Sequence, residues 1–273
     1  MGRIICIGNH KGGVGKTTTA VNLSAAFAIA EKRTLLIDSD PQAHSTIGMG
    51  INKRLVKKTL YDGLRGDALI NELIIDGGID FLKIIPSRME LVRVEAELLF
   101  RSNKETVLKA LIKTQKDNYD FILIDCPPSL NLLMVNAMAA SDSIIIPLQC
   151  EFYAREGLGQ FLKNYDVFKK MFNPDILIEG ILLTMVDKNH ESCGKIAEET
   201  KNRYNGMVFN TVIPRDKNLQ ESVRFGKPLL FQDIASPGAR SYLDLAKEII
   251  YKSTCLIKEP GNEDYKCRSH QER

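Results

Sequence analysis

Short runs of apolar, mostly β-branched residues alternate with longer amphipathic segments along most of the 273-residue chain. Each run is apolar almost without interruption, which is typical of a strand that is buried on both faces. The runs predict strands at 3–8, 34–38, 80–86, 119–125, 142–148, 176–184 and 208–214.

The segments between these runs carry apolar residues at helical spacing, i, i+3 and i+4. They predict helices that include 17–31, 90–100, 130–140 and 154–171. Strands that alternate with helices in this way build a parallel sheet with helices on both faces. We therefore expect an α/β fold with a doubly wound, mostly parallel sheet, which binds ligands beyond the carboxyl ends of its strands.

The chain shows no internal repeat and no low-complexity linker, so we expect a single domain over 1–258. Residues 259–273 are polar and include Pro260-Gly261, which predicts a flexible C-terminal tail. No apolar run approaches the ~18–20 residues that span a bilayer, and the N-terminus lacks a secretory signal. We expect a cytoplasmic protein without stable membrane association.

Composition adds two points. The six cysteines are scattered, with no CxxC pair and no Cys/His cluster, so disulfides and structural zinc are not expected. The net charge of +3 is uneven: 201–257 holds nine Lys/Arg against five acidic residues, a local +4, which leaves −1 elsewhere. The excess is a hint of a polyanionic partner, and an ordinary solvated face would give a similar count.

The strongest motif is NHKGGVGKTTTAVNLS at 9–24, between a predicted strand and a predicted helix. It fits the phosphate loop G-x-x-x-x-G-K-[ST] except that His10 replaces the first glycine. The glycines let backbone N–H groups turn toward an anion, and the helix adds its positive N-terminal end. In this pattern Lys16 contacts the β- and γ-phosphates and the Thr17 hydroxyl binds Mg²⁺.

Acidic residues follow two other predicted strands. Asp38 and Asp40 end the run LLIDSDPQ, and Asp125 ends FILIDCPPS. Carboxylates at strand carboxyl ends lie on the ligand edge of the sheet, where metal binding or the orientation of water is a natural role.

Five motifs in the same chain carry a family resemblance: KGGVGKTTTAVNLS, LLIDSDPQ, DFILIDCPPSL, EFYAREGL and TVIPRDKNLQESVRFGKPLLFQD. The chain resembles the ParA/Soj branch of the deviant Walker A ATPases over about 4–250. The resemblance implies a DNA-partition ATPase for chromosomes or plasmids, with slow turnover that a partner stimulates. It implies ATP and Mg²⁺ as cofactors and an ATP-dependent homodimer.

The resemblance also assigns roles to residues. Lys11 matches the family's signature lysine, which reaches phosphates in the partner subunit, whereas Lys16 serves its own nucleotide. Asp40 is expected to position the attacking water, and Asp38 to support the metal bound by Thr17 and Asp125. The phosphate cradle is implied to comprise Lys11, Gly12, Gly13, Val14, Gly15, Lys16, Thr17 and Thr18, and the adenine site Pro214, Arg215 and Asp216 near Thr184.

Partners are implied in the same way. They are non-specific double-stranded DNA, with a nucleoid-associated location, and a centromere-binding protein of the ParB type. The basic excess in the C-terminal part yields DNA-contact candidates: Lys217, Arg224, Lys227, Arg240, Lys247 and Lys252. The chain departs from its relatives at VDKNHES (186–192), which lacks their arginine, so no DNA or partner contact is assigned there.

Three alternative functions would also use a nucleotide site of this kind. A membrane-surface ATPase of the MinD type would need an amphipathic C-terminal helix, whereas 248–259 is only faintly amphipathic. An iron–sulfur reductase would need cysteines placed for a cluster, and Cys126 lies in an ordinary D-C-P-P variant. A non-enzymatic nucleotide-binding scaffold is the third alternative, against which Asp40 favours turnover.

Overall fold

The computed structural model describes residues 2–151, 154–187 and 190–258; the side chains of 154, 155, 192, 220, 224 and 254–258 lie outside the description. The predicted tail, 259–273, falls outside it entirely. So do Phe152 and Tyr153 of the EFYAREGL motif and positions 188–189 of the divergent loop.

The strands form one seven-stranded sheet in the order β3-β4-β2-β5-β1-β6-β7. Every neighbouring pair is parallel except β3 and β4, which confirms the predicted mostly parallel sheet. Their bounds are β1 Arg3–Ile7, β2 Thr34–Asp38, β3 Ile75–Ile79, β4 Leu82–Ile85, β5 Phe121–Asp125, β6 Ser143–Gln149 and β7 Leu177–Thr184.

Helices fill the connections, and short 3₁₀ turns lie between several of them. The helices are α1 Lys16–Ile29, α2 His44–Gly48, α3 Leu60–Arg65, α4 Ile70–Leu73, α5 Val94–Glu97, α6 Val107–Ile112, α7 Leu132–Ala140, α8 Ala154–Phe172, α9 Glu191–Arg203, α10 Lys217–Ser222 and α11 Pro237–Lys258. The predictions at 17–31, 130–140 and 154–171 are thereby confirmed within one or two residues as α1, α7 and α8.

Two apolar layers cover the sheet, one on each face. In β1, Ile4 and Cys6 join the layer beneath α6, α7 and α8, while Ile5 and Ile7 join the layer beneath α1 and α11. The other central strands alternate in the same way, so they are buried on both faces. This is the physical reason for the unbroken apolar runs in the sequence.

The register of the central strands sets the place of the site. Ile7 of β1 pairs with Asp125 of β5, and Asp125 in turn pairs with Asp38 of β2. The three strands therefore end at one edge of the sheet. The glycine-rich loop begins directly after β1 at that edge.

The predicted strand at 208–214 is wrong. Only isolated bridges join Val208 to Ile181 and Pro214 to Val186. Between them the backbone N–H groups of Asn210 and Thr211 donate to the Glu248 carboxylate of α11, each at 3.0 Å. A segment whose amides bond a helix side chain cannot continue a sheet ladder.

Two other regions differ from the sequence prediction. The strand expected at 80–86 is β4, and it pairs with an antiparallel edge strand, β3, that the glycine-rich run 75–79 did not indicate. The helix expected at 90–100 is a 3₁₀ turn at 89–93 followed by the single turn α5. Leu91, Val94 and Leu98 are buried at helical spacing, but the other apolar residues of the segment lie in solvent, Phe100 at 93% exposure. In the described ranges, every helix is too short or too polar to cross a bilayer.

Candidate nucleotide and metal site

The glycine-rich loop joins β1 to α1 at the carboxyl edge of the sheet. Gly13 and Gly15 have φ of 75° and 90°, a left-handed conformation that residues with a Cβ rarely adopt. The Thr184 hydroxyl at the end of β7 donates to the Val14 carbonyl at 2.9 Å and anchors the loop from the side. The loop therefore has the backbone conformation of a phosphate cradle.

Asn9 is a second anchor, which sequence reasoning missed. It is buried; its side-chain amide donates to the Pro147 carbonyl at 2.8 Å, and its Oδ1 accepts from the Lys11 N–H at 3.0 Å. An asparagine directly after a buried strand and before the glycines was the available signal. The bonds fix the start of the loop against β6.

His10 occupies the position where the usual pattern has glycine. Its φ is not positive, so the backbone there does not require glycine. The imidazole stacks on Phe161 of α8, with ring centroids 5.9 Å apart and an interplanar angle of 16°. Burial and the nearby Lys16 charge lower the pKa of His10. The departure from the pattern is accommodated because this side chain packs on α8.

Lys16 is the first residue of α1 and is only 7% exposed. Its ammonium donates to the Lys11 carbonyl at 2.8 Å, across the loop. Burial lowers the pKa of Lys16, and the nearby acidic groups Asp125 and Asp40 oppose that shift. The structure thus places this cation inside the cradle, close to the acidic edge.

Lys11 lies on the other side of the loop. Its side chain is 39% exposed, and its ammonium forms an ion pair with Glu151 at 3.1 Å. The Glu151 carboxylate also accepts a hydrogen bond from the side-chain amide of Gln149, at the end of β6. The two loop lysines are therefore separated, one in the cradle and one at the surface.

Asp38 and Asp125 are side by side at the ends of β2 and β5, and both are fully buried. Asp38 accepts from the N–H and hydroxyl of Thr46, both at 2.7 Å, and Asp125 accepts from the Ser45 hydroxyl at 2.7 Å. Burial raises the pKa of Asp38 to about 6, whereas burial and the neighbouring Asp38 charge raise the pKa of Asp125 to about 8. A bound cation would relieve this crowding of buried carboxyls.

The donor set at this edge fits Mg²⁺. Oδ1 of Asp125 is buried and has no hydrogen-bond partner among the described residues, and the half-buried Thr17 side chain lies in the first turn of α1. The described residues hold no group of three or more His, Cys, Asp and Glu side chains suited to a metal. A Mg²⁺ site needs only one or two oxygen ligands from the protein, because the ion takes its other ligands from water and from the phosphates of the nucleotide.

Asp40 lies two residues beyond β2 and is 7% exposed. Its Oδ1 accepts from the Gln42 N–H at 2.8 Å, and its charge is one of those that act on Lys16. The structure therefore brings Asp40 to the same edge as the cradle and the two buried carboxyls. A carboxylate there can accept a proton or hold a water molecule.

A small cavity of about 40 Å³ opens beside the cradle. It is lined by the predicted Pro214, Arg215 and Asp216 together with Thr184 and the loop residues Gly15 and Thr18. Both oxygens of Asp216 accept backbone bonds, from Asn218 N–H and Gly238 N–H at 2.9 Å, so its carboxylate is engaged in holding α10 and α11.

Tyr242 of α11 also lines this cavity, and sequence reasoning missed it. It is 1% exposed, and its hydroxyl lies 3.2 Å from the Thr19 hydroxyl of α1. Burial raises the pKa of Tyr242. A tyrosine more than 200 residues from the loop gave no local signal, because only the packing of α11 on α1 brings it there.

The basic candidates of the C-terminal part divide into two groups. Lys247 pairs with Asp244 at 3.3 Å, and Lys252 pairs with Glu248 at 3.6 Å. Three other candidates are exposed: Lys217, Lys227 and Arg240. None of these three forms a salt bridge with any of the described residues. Arg224 lies in a 3₁₀ turn, and its side chain is outside the description.

Comparison with known proteins places this site in a family. An AAA domain family model matches residues 2–178. The chain is 47% identical to the sporulation initiation inhibitor protein Soj of Bacillus subtilis over 91% of its length and 98% of that protein. It is 45% identical to the chromosome partitioning protein ParA of Myxococcus xanthus, over 93% and 90% of the two lengths.

This chain is also similar in fold to a solved structure that contains a nucleotide analogue. Cobyrinic acid a,c-diamide synthase from Mycobacterium smegmatis, with a bound ATP analogue and magnesium, is 30% identical, with a TM-score of 0.82 over 95% of this chain and 99% of that one. The sequence identity to Soj and ParA extends over nearly the whole chain. The chain belongs to the ParA/Soj family of partition ATPases.

Proposed function

We propose that this protein is an ATP-dependent DNA-partition ATPase that dimerises on ATP, binds DNA without sequence preference and is stimulated by a ParB-type partner. The observation that carries the proposal is the separation of the two loop lysines. Lys16 is buried in the cradle, whereas Lys11 is on the surface with an ammonium that can reach another molecule.

The cradle residues bind the triphosphate. Loop N–H groups and the N-terminus of α1 attract the anion, and Lys16 adds a cation that is already desolvated. Thr17 and Asp125 would hold Mg²⁺, Asp125 through water, with Asp38 as their support. The metal, when bound, neutralises charge on the phosphates. The cavity lined by 214–216 lies beside the cradle and is the place for the adenine.

Asp40 orients the water that attacks the γ-phosphorus. One of its oxygens is held by the Gln42 N–H, and the adjoining Pro41 stiffens the turn. The fixed carboxylate can therefore present its other oxygen to a water. Such an arrangement lowers the barrier without tightening ground-state binding, since the water interacts more strongly as it loses its proton.

Lys11 serves the neighbouring subunit. Its pair with Glu151 must break for the ammonium to reach a phosphate across a dimer interface, and an exposed ion pair contributes only about 0.2–1 kcal/mol. A charge-assisted bond to phosphate is roughly twice as strong as a neutral hydrogen bond. Dimerisation therefore depends on the γ-phosphate, as with an arginine finger supplied in trans.

DNA binding is proposed for the C-terminal basic segment of this dimer. Lys217, Lys227 and Arg240 are its most available cations, since Lys247 and Lys252 already have acidic partners. Phosphate contacts alone carry no sequence information, so the binding is non-specific. A dimer doubles these contacts, which makes binding depend on ATP and places the protein on the nucleoid.

The test of this function is retention on two surfaces under three nucleotide conditions. The protein is incubated with ATP, ADP or no nucleotide and then with immobilised duplex DNA or with anionic lipid vesicles, and phosphate release is followed in parallel. We expect DNA retention with ATP alone, and Mg²⁺-dependent phosphate release. Retention by vesicles instead of DNA would contradict the proposal and favour the MinD-type alternative.

A further inference from the structure

The short helix α2 supplies a feature of the acidic edge that the motifs did not indicate. Its residues Ser45 and Thr46 are fully buried, and both side chains end on carboxylates. The Ser45 hydroxyl donates to Oδ2 of Asp125, and the hydroxyl and N–H of Thr46 donate to Oδ2 of Asp38, all at 2.7 Å. One dipeptide therefore holds two neighbouring carboxyl groups.

The two oxygens of Asp125 are left in different situations. Oδ2 accepts the Ser45 hydrogen bond, while Oδ1 is buried without a hydrogen-bond partner in the described part of the chain. The terminal torsion of an aspartate has broad preferences, so packing and hydrogen bonds must select its rotation. The Ser45 hydroxyl on Oδ2 makes that selection, and the Thr17 hydroxyl is also close enough to the carboxyl to lower its pKa.

We propose that Ser45 is a positioning residue for magnesium, which holds Oδ2 of Asp125 so that Oδ1 is presented to the water bound to the metal. The inference rests on the proposed nucleotide site. Ser45 does not touch the metal or the nucleotide. It acts through Asp125, as the outer hydrogen-bond partners of metal ligands do in other proteins.

If Ser45 only stabilised the fold, its substitution would change protein stability but not metal affinity. The loss of a buried serine hydroxyl that only satisfies its surroundings lowers stability, yet leaves the affinity of the folded protein for metal unchanged. Loss of a partner that orients a metal ligand weakens metal binding about 10- to 100-fold. The affinity for ADP without metal stays the same, because Asp125 contacts the metal shell rather than the nucleotide.

The matched control is Ser24→Ala. Ser24 is as completely buried as Ser45, but its hydroxyl donates to a backbone carbonyl, that of Val21 at 2.9 Å in α1. Both substitutions delete one buried hydroxyl. Only Ser45→Ala removes a bond to a carboxylate at the metal edge.

The experiment measures Mn²⁺ binding to the full chain with bound ADP by electron paramagnetic resonance, with protein in excess over ADP, and ADP binding without metal by calorimetry. We expect Ser45→Ala to raise the dissociation constant for Mn²⁺ about 10- to 100-fold, and Ser24→Ala to leave it within about twofold. Ser45→Cys, of similar shape with a weak donor, should fall between wild type and Ser45→Ala.

Three outcomes would overturn the inference. They are wild-type Mn²⁺ affinity in Ser45→Ala, an equal loss in Ser24→Ala, and, if Ser45→Ala does not unfold cooperatively, wild-type affinity in Ser45→Cys. A wild-type ADP complex that binds no Mn²⁺ would instead overturn the nucleotide site itself, and the Ser45 proposal with it.

Discussion

The Lys11–Glu151 ion pair should oppose dimerisation, and Glu151→Gln should therefore strengthen the ATP dimer. The two charged atoms are 3.1 Å apart, and the side chains are 39% and 48% exposed. A pair this exposed contributes about 0.2–1 kcal/mol. Each dimer breaks two of them, so the substitution should favour association by about 0.4–2 kcal/mol, or about twofold to thirtyfold in the dissociation constant.

The assay is analytical ultracentrifugation over a dilution series with ATP, on an Asp40→Ala background to prevent turnover. Glu156→Gln is the control, since Glu156 is exposed in the nearby α8 and also loses one negative charge. The difference between the two variants should shrink at high salt, because screening weakens exposed pairs. An unchanged or larger dissociation constant in Glu151→Gln would refute the reasoning.

Three further outcomes are expected. Asp40→Ala should bind ATP normally but release phosphate about a hundredfold more slowly in the presence of partner and DNA; a wild-type rate would remove Asp40 from the reaction. The double variant Lys227→Glu with Arg240→Glu should lower the salt slope of DNA retention by about 0.9 for each phosphate that the protein no longer neutralises, with ATP-driven dimerisation intact, whereas Lys109→Glu on α6 should not; equal slopes would exclude both residues from the DNA surface. Stability without nucleotide should fall as pH rises from about 4 to 8, because the raised pKa values of Asp38 and Asp125, about 6 and 8, favour the protonated carboxyls of the folded state; urea unfolding should show this slope flattened in Asp125→Asn, and an equal slope in both proteins would contradict it.

The conformation of the glycine-rich loop was predictable because its determinants are local. Gly13 and Gly15 are needed for left-handed backbone, Lys16 begins the helix, and a strand precedes them within a few residues. The acidic edge was predictable for a similar reason. When neighbouring parallel strands each end in an aspartate, both carboxylates lie at the carboxyl edge of the sheet.

The parts that sequence reasoning missed depend on contacts between distant segments. Tyr242 reaches the cavity beside the glycine-rich loop only because α11 packs on α1. The failed strand at 208–214 depends on Glu248, whose carboxylate takes two amides that a ladder would use. The apolar pattern of a segment does not show whether a distant side chain will bond its backbone amides in place of a neighbouring strand.

Ser45 illustrates the same limit at the level of a single bond. From sequence, a serine four residues beyond a Pro is an ordinary helix residue. In the structure its hydroxyl ends 2.7 Å from Asp125 across 80 residues of chain. The element that supplies it, α2, has only five residues and no periodic apolar face to predict it.

The most direct test of the account is the mass of the ATP complex with and without Lys11, on the Asp40→Ala background. Light scattering after size exclusion should give a dimer for Asp40→Ala with ATP, and a monomer that still binds ATP for Asp40→Ala combined with Lys11→Ala. A stable ATP dimer without the Lys11 ammonium would contradict the claim that this lysine serves the neighbouring subunit's nucleotide.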